Sequence, residues 1–197
     1  MEERKIVIAD PTSLGLFGLA IVTLVASSQK LGITSEVSLV IPWAIFLGAF
    51  AQLYASILDT KKDNTFGATA FGGYAFFWFG VSLTWLIQLG VLGEKLALKA
   101  DIKQLGFAFI GYLIFSLFMT IGSMKVSKIL CLIFIFIDLL FIGLVLSTFD
   151  ISPHFGHSLA AYSELLISLL SFYGSAAAVL NKHFGRILLP VGKPFNI

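Results

Sequence analysis

Apolar residues along this chain gather into six blocks, each roughly 20 residues long and each closed by charge, Pro or Gly. They cover 13–29, 38–58, 67–90, 105–123, 126–148 and 159–181. An α-helix rises ~1.5 Å per residue, so a block of this length crosses a hydrocarbon core ~30 Å thick. None of the six alternates apolar and polar positions as a membrane barrel strand would. Inside lipid a helix satisfies its own backbone groups, which makes each block a transmembrane helix. The pattern predicts an all-α integral membrane protein, a single six-span domain over 1–197.

Composition supports that class. Hydrophobic residues make up 58% of the chain and charged residues 12%, against about 45–50% and about 25% in a soluble domain. A soluble core could not hide so much apolar surface, whereas lipid requires no hiding of it. The net charge of +2 is dispersed, with no basic run interleaved with aromatics, which argues against nucleic-acid binding. A lone cysteine, Cys131, excludes an internal disulfide, and its apolar setting predicts a small core residue.

Charge also orients the spans. Nine of the 13 Lys and Arg fall on the two tails and on the loops after spans 2 and 4, including Arg4, Lys5, Lys62, Lys125 and Lys182. By the positive-inside rule both termini are cytoplasmic. Lys30, Lys95, Lys99 and Lys103 lie on the other side, the last three in "EKLALKADIK", which reads as a short interfacial amphipathic helix.

Polar residues within or beside the spans are few, and each has two readings. Ala44, Gly48, Gln52 and Ser56 form a stripe on span 2, either a packing seam or a polar edge to a path. Asn64 or Thr65 can cap span 3, and the free N–H groups of a helix start also suit an anion. Gly67, Ala68, Ala70, Gly72 and Gly73 then leave room below Tyr74, whose phenol can hydrogen-bond a carboxylate. Asp138 falls about twelve residues into span 5, ~18 Å along it and near the bilayer centre, where a carboxylate is costly. It serves either proton handling or a structural bond to Thr23, Gln52 or Thr120. Glu164, near the outer end of span 6, reads as an interfacial, solvated residue. His154 and His157 occupy an outer loop, and two ligands do not close a zinc site. No nucleophile elbow, phosphate loop or HExxH sequence is present, so no enzyme, metal or cofactor is expected.

Three separated motifs carry a resemblance. "NTFGATAF" at 64–71, followed by Tyr74 and Trp78, is similar to the signature of the acetate uptake transporters, also called succinate–acetate permeases. "FGRILLPVG" at 184–192 resembles that family's C-terminal signature, and "DPTSLGL" at 10–16 its Asn-Pro-x-Pro-Leu-Gly-Leu opening. Asp10 and Ser13 depart from that opening, replacing Asn and Pro.

The resemblance implies a homo-hexamer in the plasma membrane, with a pore in each six-helix protomer for acetate and related small carboxylates, and in some members succinate. It implies a hydrophobic constriction from spans 1, 3 and 5. Tyr74 matches the family tyrosine, while Leu19 stands for its Phe and Ile137 for its Leu. Gln52, Asn64, Thr65 and Thr23 are the substrate-binding candidates in that setting. An anion entering alone works against an inside-negative potential at about 2.3 kcal/mol per 100 mV, so uptake is expected to be linked to protons. Asp138, next to Ile137, is the proton-coupling candidate. The expected path holds no buried Lys or Arg. A passive pore for neutral solutes such as ammonia, urea or protonated acids is the alternative.

Overall fold

The computed structural model describes residues 8–196, which leaves Arg4 and Lys5 of the charged tail outside the described residues. Six helices are long and apolar enough to cross a membrane: α1 (Thr12–Lys30), α2 (Val40–Lys61), α3 (Thr65–Gln88), α4 (Ile102–Ser123), α5 (Lys128–Thr148) and α6 (Pro153–His183). The described residues contain no strand. An even number of spans puts both chain ends on one face, here called the terminal face.

The ends of the helices follow from local chemistry. Asn64 starts α3, its Oδ1 accepting the Gly67 N–H at 3.2 Å, and Ser127 caps α5 through the Leu130 N–H at 3.2 Å. Asp101 caps α4, accepting from Lys103 N at 3.0 Å. These side chains satisfy donors that a helix start leaves orphaned. Pro153 opens α6 at a position where its missing N–H costs nothing. That helix consequently begins six residues ahead of the predicted span, and His154 and His157 lie on its first turns instead of in a loop. In "EKLALKADIK" Glu94–Ala97 forms a single turn rather than an interfacial helix, and Ile102 and Lys103 already belong to α4. Helix α2 runs on to Lys61, past the predicted end at 58, and its stretch Ala44–Ala51 is π-helical.

The helices form a ring. Helix α1 packs between α2 and α6, α5 packs between α6 and α4, and α3 lies against α2. Small residues permit the closest backbone approaches. A Cβ on Gly143 would meet the Gly156 carbonyl oxygen at 2.6 Å across α5 and α6, and one on Gly18 would strike the Leu47 carbonyl. Serine hydroxyls bind the helices where hydrophobic forces cannot: Ser168 donates to the Ala20 carbonyl at 2.8 Å and Ser56 to the Ala68 carbonyl at 2.7 Å. The ring closes between α3 and α4 through large side chains. The Tyr112 hydroxyl donates to the Gly73 carbonyl at 3.0 Å, and the Phe77 ring meets Tyr112 at 4.9 Å and Phe141 of α5 at 5.2 Å.

Candidate functional site

Between α1, α2, α3 and α5 lies a cavity of about 140 Å³, several times the ~30 Å³ that a liquid water occupies. Helix α3 lays Gly67, Ala70 and Tyr74 along it, and the first two are small enough to leave space beneath the tyrosine ring. Leu19 from α1 and Ile137 from α5 complete the wall. All three predicted constriction residues are buried and converge here. The Tyr74 ring packs on Phe134 at 6.0 Å and Phe115 at 5.5 Å, while its hydroxyl bonds Ser116 Oγ of α4 at 2.8 Å. The tyrosine is thus turned into the bundle, with its phenol anchored.

Polar groups are sparse on this lining. Gln52, the first residue after the π-helical stretch, is buried on it, and its Nε2 finds no hydrogen-bond partner among the described residues. Asn64 lines the end near the terminal face. Asp59, two turns beyond Gln52 on α2, is fully buried there, with the Asn64 side chain as its polar neighbour. A hollow of about 360 Å³ shares Thr12, Leu16, Leu130 and Ile133 with the cavity and lies beside Asp10 and Lys182.

Three candidates stand apart. Thr65 faces a separate shallow hollow beside Thr60 and Asp63. The Thr23 hydroxyl donates to the Leu19 carbonyl at 2.7 Å, one turn back along its own helix. Asp138 turns from Ile137 toward α4, where its Oδ2 accepts from the Thr120 hydroxyl at 2.7 Å, while Oδ1 is buried and unpaired among the described residues. Of the partners considered from sequence, Thr120 is the one it meets. Thr120 Oγ1 also lies 3.0 Å from the Ser116 carbonyl, so the residues around Asp138 and the Tyr74 phenol share Ser116 as a neighbour.

Outside the membrane, Asp10 guards the terminal face. Partial burial pushes its carboxyl up, but hydrogen bonds from the Thr12 N–H at 3.1 Å and hydroxyl at 2.8 Å, with Lys62 Nζ at 3.4 Å, hold it below the usual carboxylate range. The charge that Asp10 adds is therefore met by Lys62.

A second cavity, about 120 Å³, lies at the opposite end of the bundle. Lys30 and Glu164 edge it, with Lys30 Nζ donating to Glu164 Oε2 at 2.9 Å. Glu164 is only 2% exposed, which corrects its reading as an interfacial, solvated side chain. The span does place it near a helix end, but α1 and α6 pack closely enough to enclose it with Lys30.

The sequence profile described as the GPR1/FUN34/yaaH family matches residues 1–193. The chain belongs to the GPR1/FUN34/yaaH family. The succinate-acetate/proton symporter SatP of Escherichia coli (strain K12) is 31% identical to it over 186 residues, 94% of this chain and 96% of that protein. Acetate permease A of Emericella nidulans is 32% identical over 149 residues, 72% of this chain and 49% of that one. A solved structure, described as that of the bacterial acetate channel SatP, matches with a TM-score of 0.85 at 30% identity, covering 94% of this chain and all of that one. These GPR1/FUN34/yaaH relatives are named as transporters and channels, not as enzymes.

In this GPR1/FUN34/yaaH chain, sequence reasoning missed Asp59 and the pairing of Lys30 with Glu164. Asp59 directly precedes "TKKD" and reads as one more loop charge. Its seven-residue spacing from Gln52, which puts both on one helix face, is the signal that would have found it. Lys30 and Glu164 are 134 positions apart, and no local pattern pairs them. Lys30, with 16% of its side chain exposed, lines the second cavity, while the lining of the cavity beside Tyr74 carries no Lys or Arg among the described residues.

Proposed function

We propose that this multi-pass membrane protein carries small monocarboxylates, acetate among them, through each protomer along the line of Leu19, Tyr74 and Ile137. The observation that carries this reading is the convergence of those residues on one cavity whose unpaired amide, Gln52 Nε2, is free to donate to a carboxylate. Asn64 serves at the mouth. The names and 0.85 TM-score of the relatives support acetate as the substrate class.

The terminal face is the cytoplasmic one, with the Lys and Arg bias as its basis. The membrane is the plasma membrane and the assembly a homo-hexamer, as the family resemblance implies. Transfer is linked to protons, because a lone anion moves against the membrane potential. Asp138 is a proton-linked group beside the constriction: its carboxylate holds the Thr120 hydroxyl, which shares Ser116 as a neighbour with the Tyr74 phenol, so it acts on the path through Tyr74. Thr23 and Thr65 support the helices rather than the solute.

Uptake of labelled acetate into proteoliposomes, with and without an imposed proton gradient, tests the reading. Acetate should accumulate only with the gradient, and formate and propionate should compete. Flux indifferent to the gradient and blocked by urea would instead establish a passive neutral-solute pore. Asp138→Asn should flatten the pH profile of uptake; an unchanged profile removes Asp138 from the coupling.

A further inference from the structure

The second cavity holds chemistry that the path beside Tyr74 does not use. Trp78 and Trp85 of α3, Phe109 of α4 and Leu140 of α5 wall it, and Lys30 and Glu164 stand at its edge. On α1, Lys30 lies three turns beyond Leu19; on α3, Trp85 lies three turns beyond Tyr74; on α5, Leu144 lies two turns beyond Ile137. The two cavities are therefore stacked along the same three helices, with Tyr74, Phe77, Ile137 and Phe141 packed between them. An ion pair that only braced α1 against α6 would be sealed by side chains; this one borders open space.

The charged surroundings are simple. Lys30 is the one charged group acting on Glu164 among the described residues. His157, two turns earlier on α6, sets its Nε2 2.8 Å from the Lys30 carbonyl oxygen. The residues that α3, α4 and α5 present to the cavity carry no charge.

We infer that Lys30 and Glu164 form a loading site for a small carboxylate at the end of the path opposite the terminal face, where substrate takes Lys30 from Glu164 and Glu164 takes a proton in exchange. The inference rests on the monocarboxylate path proposed above. As found, the pair is neutral. An entering carboxylate leaves two negative groups around one ammonium in an apolar pocket, and an uncompensated buried charge is costly. A single proton from solvent removes the excess. The Nζ–H bond to Glu164 Oε2 breaks, a substrate oxygen accepts that N–H, and the proton completes the Glu164 carboxyl. Substrate and proton thus load one for one, and departure of both restores the ion pair.

Trp78 and Trp85 provide a readout independent of transport. Purified full-length protein is titrated with acetate by tryptophan fluorescence between about pH 6 and pH 8, where acetate itself stays ionised. For the wild type, one proton per acetate makes the apparent affinity fall about tenfold per pH unit. Glu164→Gln, which keeps the side-chain size, should bind with an affinity independent of pH. The double variant Lys30→Met/Glu164→Leu removes both charges without stranding one and should lose the response. A tenfold fall per unit that persists in Glu164→Gln would identify the neutral acid as the bound species and overturn the proposal, as would wild-type binding by the double variant or no wild-type response. Labelled acetate flux separates this from the path itself: a wild type that binds but passes no acetate sinks the transport reading alone, whereas flux with wild-type pH response in both variants sinks the loading site alone.

Discussion

A methyl group added at Gly67 would strike Asp59 Oδ2 and come within 2.6 Å of Asn64 Nδ2, so this glycine makes room for a carboxylate and a helix cap together. Gly67→Ala should lower stability by about 1–3 kcal/mol, the usual range for overpacking, seen as an earlier thermal unfolding midpoint. Gly80→Ala is the control. A Cβ there meets nothing within 4 Å, and the helix gains about 1 kcal/mol of propensity at most. Asp10 makes a prediction in acid. Its folded-state carboxyl titrates below the unfolded value, so its stabilisation is complete above that value, about pH 4, and disappears as pH falls through the folded one. Comparing the acid unfolding of wild type and Asp10→Asn checks this: the two curves should differ near neutral pH and merge in strong acid. At this scale the α3 cap was legible in the sequence as Asn64 or Thr65, because a cap bonds within three residues, and the structure settles on Asn64. The partners of Asp138 were narrowed to three, and choosing Thr120 required knowing how α4 and α5 pack.

Helix α2 shows what an element adds to its residues. A π-helical turn holds more residues than an α turn, so the stretch Ala44–Ala51 shifts the facing of everything after it. Each residue in an α-helix turns ~100°, about the rotation that the wide turns give up to hold one extra residue, so deleting the exposed Phe46 to restore α winding should leave Gln52 facing the cavity. Acetate uptake should then survive the deletion and fall in Gln52→Ala, measured in the same proteoliposomes. A deletion that lowers uptake as far as Gln52→Ala does would show that the π turn does more than take up one residue. The stripe Ala44, Gly48, Gln52, Ser56 was visible as a face, but a spacing of four presumes α geometry. The π turn has no signature in this run of apolar residues, and its Leu47 carbonyl lies against Gly18 of α1, a contact that the segment alone does not contain.

Across the whole molecule, two cavities stacked on α1, α3 and α5 face opposite ends, with an aromatic plug between them. The membrane-facing surface carries large apolar side chains such as Phe46, Phe76, Phe107 and Phe118, which suit lipid or neighbouring protomers. Native mass measurement in mild detergent should give six copies; a monomer would refute the hexamer. What the chain's order alone determined is the number of spans and the helical class, because the free energy of crossing lipid depends on local apolar length and on backbone groups that a helix satisfies by itself. The family motifs likewise named the tyrosine. Only the tertiary structure decided which polar groups share a cavity: that Asp59 joins Gln52, that Thr23, Thr65 and Asp138 stand aside, and that Lys30 meets Glu164. Those choices turn on how helices far apart in sequence are rotated against one another, and rotation is set by glycine contacts, serine bonds and aromatic packing that no single segment contains.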